Sequence, residues 1–300
     1  MLVFKRKKKF VRMDPSWNSL TTGALFDVRG KAALVTGGSR GIGLMISRAF
    51  VRNGATVVIS SRKASVCDSV AAELNARARE SGCGGRAIAI AADLSRDGDA
   101  GCVALAAAVE AVVPNGALHI LVNNAGCTWG STMEEYPENA WSRCFDLNVK
   151  AVFEMTRACI PLLKRGSGGS RSPASVINIG SVAGVVAAPA TVAFTPAYDA
   201  SKAAVDQLTR NLAAQLFPSA ITVNCLAPAL FPSKMTAFML QHDAAKEAAA
   251  ASHPVGRVGS EADMAGAALF LASKASAFIT GSTIYLDGGM VHVRHGASHY

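Results

Sequence analysis

The feature that most constrains this chain is a repeated alternation of two residue patterns. Short Val/Ile-rich runs of strand length fall at 31–36, 56–60, 87–91, 118–122, 175–179, 221–225 and 283–286. Between most of them lie longer stretches with helical periodicity, at 42–52, 65–80, 98–113, 138–163, 198–217 and 261–272. Strands that alternate with helices are joined by right-handed crossovers, which give one parallel sheet covered on both faces. The expected fold is therefore α/β and single-domain: a doubly wound, mostly parallel, seven-stranded sheet with helices on both faces. Half the residues are hydrophobic but only 6% are aromatic, which suits Val/Ile strands packed closely against Ala-rich helices. The run Gly166–Pro173 reads as an exposed loop insert within one domain spanning 25–291. Residues 1–24 are expected to be a basic, disordered extension and 292–300 a short tail.

The net charge of +9 is concentrated at one end. Six basic residues (Lys5, Arg6, Lys7, Lys8, Lys9 and Arg12) precede the first acid, Asp14, which leaves 24 basic against 21 acidic residues. A nucleic-acid partner is not expected, because such a partner needs a basic face on the folded body. No apolar run reaches the length of a membrane span, about 18 residues. The basic head lacks the apolar core of a secretory signal and the Ser-rich character of a transit peptide. A cytoplasmic location is expected, with a mitochondrial one as the alternative carried by that head. Seven cysteines without a C-x-x-C pair point to reduced, mostly buried thiols. His292, His295 and His299 share a tail broken by Gly296, so no metal site is expected.

Thr36-Gly-Gly-Ser-Arg-Gly-Ile-Gly43 joins the first strand to the first helix. Glycines at 37, 41 and 43 let the backbone turn tightly and approach a pyrophosphate, which the helix N-terminus then attracts. In a βαβ context this is the signature of a Rossmann dinucleotide site. An NAD site usually carries an acid about 20 residues further on. Here the second strand ends Ile59-Ser-Ser-Arg-Lys63. Arg62, with Arg40 approaching from the turn, is positioned to meet a 2′-phosphate, so NADP(H) is the expected cofactor.

Tyr198-Asp-Ala-Ser-Lys202 opens a predicted helix, and its i, i+4 spacing puts phenol and ammonium on one face. A phenol with an ordinary pKa near about 10 is a poor acid or base at neutral pH. A neighbouring ammonium favours the phenolate and makes the pair fit for proton transfer.

The Gly-rich turn, Asn123-Asn-Ala-Gly126, Asn148, Ser181 and the Tyr198/Lys202 pair occur in that order. Over about 30–290 the chain thereby resembles the short-chain dehydrogenase/reductase family. The resemblance implies that Tyr198 donates a proton to a carbonyl oxygen and that Lys202 lowers its pKa and holds the nicotinamide ribose. Ser181 would bond the substrate oxygen, and Asn148 would hold a water in the proton relay. Cofactor contacts are implied at Gly37, Ser39, Arg40, Gly41, Ile42, Gly43, Arg62, Asp93, Leu94, Asn123, Ala125, Gly126, Tyr198, Lys202, Pro228 and Leu230. Asn123 and Asn124 could equally serve as structural links between strands. Dimers or tetramers are implied through the helices at 138–163 and 198–217.

Two departures stand out. Pro228-Ala229 replaces the family's Pro-Gly, so a positive φ at 229 would be strained. The interval from Ser181 to Tyr198 is longer than usual, with Val185–Ala190 inside it. The stretch Phe231–Thr236 and the Ala-rich segment through Ala251 fall where the family carries a substrate lid. Phe238, Met239 and Leu240 make it apolar, beside Lys234 and Lys246. Residues 227–236 resemble those of 3-oxoacyl thioester reductases, including the type associated with rhamnolipid synthesis. The expected substrate is accordingly a 3-oxoacyl thioester on acyl carrier protein or CoA. The alternatives are another secondary alcohol or ketone, a sugar or a quinone, or a non-catalytic dinucleotide-binding scaffold.

Overall fold

The computed structural model describes residues 17–95, 98–187 and 194–293. Seven parallel strands form one sheet in the order β3-β2-β1-β4-β5-β6-β7. They are β1 (Ala32–Thr36), β2 (Thr56–Ser61), β3 (Arg86–Ala91), β4 (Ile120–Asn123), β5 (Ala174–Ile179), β6 (Ile221–Pro228) and β7 (Thr283–Leu286). The helices are α1 (Thr22–Leu25), α2 (Gly41–Arg52), α3 (Ala64–Ser81), α4 (Gly98–Val112), α5 (Asn139–Phe145), α6 (Ala151–Gly166), α7 (Pro196–Leu216), α8 (Asp243–Ala251) and α9 (Glu261–Ala272).

Alternation along each strand divides the core. Ala33 and Val35 of β1 join Ile46, Phe50, Met264 and Leu271 on the face covered by α2, α3 and α9. Ala32 and Leu34 join Leu105, Met155, Leu163 and Leu212 under α4, α6 and α7. With both faces covered, every β1 residue is buried, so the strand reads as a continuous apolar run without alternation. The strand order reverses between β1 and β4, which pair through Val35 and Val122. A crevice at the carboxyl ends of these two strands is where such sheets take ligands. The Gly-rich turn and Asn123–Gly126 both leave the sheet there.

Several boundaries differ from the sequence reading. The stretch 138–163 is not one regular helix: a π-helical turn, Asp146–Lys150, separates α5 from α6, and Asn148 sits in it. Such a turn breaks the i→i−4 ladder and re-aims side chains, a distortion common at functional sites. β6 runs to Pro228, three residues beyond its expected end, because Ala227 and Pro228 still pair with Tyr285 and Leu286. α7 begins at Pro196, whose ring fits the first helical turn, so Tyr198 lies just inside the helix. A nine-residue helix, α8, occupies the Ala-rich segment. Short helical turns at Trp17–Leu20 and Thr22–Leu25 occupy part of the expected N-terminal extension, and Phe26 sets its ring 6.3 Å from Phe270 of α9. Residues 1–16, 188–193 and 294–300 lie outside the described residues, and with them the basic head, part of the long 181–198 interval, His295 and His299. Among the described residues no helix is long and apolar enough to cross a membrane.

Candidate active site

The Gly-rich turn is shaped for close approach. Gly37 and Gly41 have φ of +64° and +53°, a left-handed conformation that L side chains rarely adopt. At Gly43 a Cβ would lie 2.4 Å from the Gly37 carbonyl oxygen and 2.5 Å from Asn124 Nδ2. The turn is tied to the sheet by Asn124, as one reading of the sequence allowed, and by Thr36, whose part the sequence did not announce. Thr36 Oγ1 donates to Val122 O at 3.2 Å and accepts from the Asn124 and Ala125 amides at 3.0 and 3.1 Å. Asn124 Nδ2 donates to Thr36 O at 2.9 Å and to Gly37 O at 3.2 Å. Thr36 thus stitches the ends of β1 and β4 together at the reversal of strand order.

The N-terminus of α2 has Arg40 in the capping position, extended and without a side-chain cap. Its first amides therefore face the crevice without a side-chain acceptor, an arrangement that suits a phosphate. Ser39, buried, is held by a 2.8 Å contact to Ser61 Oγ at the end of β2. Arg40 and Arg62 are both exposed, at the turn and just past β2. Asp93 accepts from the amide and hydroxyl of Ser95 at 3.1 and 2.6 Å, and Leu94 is buried against the α4 side of the core. The residues present thus fit a dinucleotide, with cations available for a 2′-phosphate.

Asn123 is turned inward. Its Nδ2 donates to Thr156 Oγ1 at 3.0 Å and to Asn178 Oδ1 at 2.9 Å, and Asn178 passes a 2.9 Å bond to Thr209 Oγ1. This satisfied polar brace runs from α6 through β4 and β5 to α7. The structural alternative weighed for Asn123 is the arrangement found; its side chain does not face the crevice.

Asn148 is 1% exposed. It clasps the backbone of Cys127, donating to Cys127 O and accepting from Cys127 N, both at 2.9 Å. It also donates to Ser201 Oγ at 2.9 Å, and Ser201 bonds the Tyr198 carbonyl at 2.7 Å. The Asn148 side chain therefore joins the loop after β4 to the first turn of α7. It accounts for the glycine at 126 as well, where a Cβ would come within 3.2 Å of Asn148 Oδ1.

Ser181, Tyr198 and Lys202 meet at the carboxyl end of β5. Ser181 is buried and accepts from Ala183 N at 3.1 Å. Lys202, also buried, donates to Ile179 O at 2.7 Å, and its Nζ lies 5.5 Å from the Tyr198 ring centre. Burial pushes the Tyr198 phenol above its ordinary value, with the Ser181 hydroxyl opposing the shift. Burial likewise pushes Lys202 down to about 8.

Pro228 ends β6 in the core, and Ala229 donates to Leu286 O at 3.0 Å. Among the described non-glycine residues only Asn115 and Ala220 have positive φ, so the substitution at 229 brings no strain. Leu230 O accepts from Gly259 N at 3.0 Å. Phe231 opens the segment where the lid is expected. It is buried beneath Gly259, where a Cβ would lie 2.4 Å from the ring. Ser233 follows and closes over Gly41, its Cβ 3.2 Å from where a Gly41 Cβ would be. The side chains of Phe238 and Met239 lie outside the described residues.

An aromatic cluster lies at the approach to α7. Tyr136 meets the rings of Phe194 and Trp141 edge-on at 6.0 and 6.3 Å, and Trp141 meets Phe145 at 6.1 Å. Ser131 pairs with Phe194 in an isolated antiparallel bridge, and the Arg143 guanidinium lies over Trp129. Trp129, Trp141 and Phe194 are exposed. No periodic signal in the sequence groups these residues, because they come from a loop, α5 and the approach to α7.

Known proteins give the same outline. The family described as enoyl-(acyl carrier protein) reductase matches residues 37–291. The rhamnolipids biosynthesis 3-oxoacyl-[acyl-carrier-protein] reductase of Pseudomonas aeruginosa is 45% identical over 264 residues, covering 88% of this chain and 97% of its own. The galactitol 2-dehydrogenase (L-tagatose-forming) of Cereibacter sphaeroides is 36% identical, over 88% of this chain and 96% of its own. Among solved structures, the Pseudomonas aeruginosa RhlG/NADP active-site complex superposes with a TM-score of 0.81 at 43% identity, covering 89% of this chain and 98% of that one. A gluconate 5-dehydrogenase from Burkholderia cenocepacia in complex with NADP and tartrate gives 0.77 at 32%, covering 90% and 98%. Likeness in sequence and in structure over nearly the whole chain leads to one conclusion: this chain belongs to the short-chain dehydrogenase/reductase family.

Proposed function

We propose that the chain is an NADPH-dependent oxidoreductase that reduces a 3-oxoacyl thioester to the 3-hydroxyacyl form. The observation that carries the chemistry is the meeting of Ser181, Tyr198 and Lys202 beside an uncapped, glycine-shaped helix N-terminus. Bound NADPH supplies the hydride that the carbonyl carbon accepts. Ser181 Oγ bonds the carbonyl oxygen, and Tyr198 Oη gives that oxygen its proton. A phenol held protonated by burial is the form this direction requires. Lys202 keeps a positive charge beneath the phenol and steadies the phenolate left behind. Asn148 and Ser201 hold the first turn of α7, so that Tyr198 keeps its position. Gly37, Ser39, Gly41, Ile42 and Gly43 would hold the pyrophosphate, Arg40 and Arg62 the 2′-phosphate, Asp93 and Leu94 the adenine. Ala125, Gly126, Pro228 and Leu230 would flank the nicotinamide half.

The apolar wall of Trp129, Tyr136, Trp141 and Phe194 supports an acyl substrate over a polyol, since burying an alkyl chain there is favourable by about 0.8 kcal/mol per methylene. The 45% identity to a 3-oxoacyl reductase over 97% of its length supports the same reading. Exposed Phe153 and Phe217 on α6 and the end of α7 support a dimer or tetramer formed through these helices; a cytoplasmic location is part of the same proposal.

The test is NADPH consumption with a 3-oxoacyl thioester, run beside NADH, beside polyols such as galactitol, and in Tyr198→Phe. Turnover should prefer NADPH and fall by about 10²–10⁴-fold in Tyr198→Phe with NADPH binding retained. Oxidation of the polyol in place of thioester reduction would overturn the substrate assignment.

A further inference from the structure

We infer that Asp206 is a positioning residue that keeps Lys202 in its ammonium form during turnover. Tyr198, Lys202 and Asp206 are spaced i, i+4, i+8 on α7, so their side chains rise from one face of the helix. That face is buried: Lys202 and Asp206 are each 6% exposed. An ammonium removed from water needs a compensating charge as well as hydrogen bonds. Lys202 has a bond, to Ile179 O at 2.7 Å, but a carbonyl carries no net charge.

The backbone between the two groups is cut down to let them share a pocket. Gly180 follows the carbonyl that holds Lys202. A Cβ there would lie 2.6 Å from Cys225 Sγ and 3.5 Å from Asp206 Oδ1. Asp206 Oδ1 accepts from Thr283 Oγ1 of β7 at 3.2 Å, which fixes the carboxyl at the end of the sheet.

The groups facing Lys202 can be named element by element. Tyr198 and Asp206 come from α7, Cys225 from β6, Cys127 from the loop after β4 and Cys144 from α5. Burial pushes all three thiols up, Cys144 to about 12, and Tyr198 is also pushed up. Among these groups Asp206 brings the one carboxyl, and the Cys225 thiol bonds it. On the far side of Asp206 stand Tyr285, also pushed up, and Arg210, which gives Nε and Nη2 to Gln207.

This inference rests on the role proposed for Lys202, and its test reads the lysine proton directly. The full chain is labelled with ε-¹³C-lysine and titrated by NMR, with and without NADPH, and the Lys202 resonance is assigned by its loss in Lys202→Arg. Asp206→Asn keeps an oxygen for Thr283 and removes the charge. Its Lys202 midpoint should fall by on the order of one pH unit, the least expected when an opposite charge at close range is removed. Asp206→Glu should restore it, and the alkaline limb of kcat should move with the midpoint. A merely structural role would change the melting temperature and leave the midpoint where it was, which overturns the inference. If Asp206→Asn does not fold, Asp206→Ser is the second neutral variant, judged by the same midpoint. A midpoint that moves in a protein inactive on thioesters leaves this inference standing and removes only the substrate reading.

Discussion

Replacing Asn148 with alanine separates two roles that the family resemblance merges. A residue that only held a relay water could be removed with little effect on folding. Here the side chain is fully engaged: Cys127 O, Cys127 N and Ser201 Oγ all lie 2.9 Å from it. Alanine takes the partner of the Cys127 amide and leaves the carbonyl only the Cys144 thiol, 4.0 Å away, in a half-buried place. Each such group costs about 1–3 kcal/mol, so the loss should be about 2–6 kcal/mol. At about 2–4 °C per kcal/mol for domains approaching this size, the melting temperature should drop by about 4–24 °C. Thermal unfolding followed by calorimetry checks it, with NADPH absent so that ligand linkage does not mask the change. Turnover should fall too, because Ser201 loses its partner and α7 its anchor near Tyr198. Abolished turnover at an unchanged melting temperature would refute the reasoning and return Asn148 to a purely chemical role.

Two further outcomes follow from the site and the fold. Replacing Arg40 and Arg62 with alanine should lower kcat/KM for NADPH by about 10–100-fold, the loss of one or two charge-assisted bonds worth about 1.5–3 kcal/mol together, and should leave NADH turnover nearly unchanged; equal losses with both nucleotides would argue against 2′-phosphate recognition. At the start of α9, hydrogen bonds from Arg257 and then Ser260 hold the Asp263 carboxyl well below the usual carboxylate range. Its folded pKa is thus below the unfolded one, so its contribution is complete at neutral pH and lost as pH falls through the folded value. Asp263→Asn should therefore be less stable than the parent in urea at neutral pH, with the gap narrowing as the pH drops below about 4; a gap independent of pH would contradict the assignment.

Much of this was legible because local chemistry sufficed. β1, β4, β5 and β6 show in the sequence as mostly apolar runs, since strands buried on both faces have no polar side to interrupt them. α9 falls at the expected 261–272, where Ser260 and Asp263 form a capping box that is itself a local signal. The Gly-rich turn is legible for the same reason: positive φ at Gly37 and Gly41 restricts residue choice at each position independently. Boundaries were missed where the deciding contact is remote. β6 continues to Pro228 through pairing with β7, about 58 residues away in the chain. The π-helical turn at Asp146–Lys150 leaves no mark in apolar periodicity, and the Ala-rich 243–251 segment has no buried residue to set a period.

By itself, the sequence determined the fold class, the order of elements and the residue types that enter the site. Each depends on periodicity or on spacing within a turn or two, which a linear chain displays directly. Tertiary structure alone decided what those residues do to one another. It turned Asn123 away from the crevice into a brace, gave Asn148 to the backbone of Cys127, and buried Phe231 under Gly259. It also buried the Tyr198 phenol, because a pKa depends on how much water remains around the group as well as on which residue lies four places along. Desolvation is a property of the assembled packing, and no local stretch of sequence carries it.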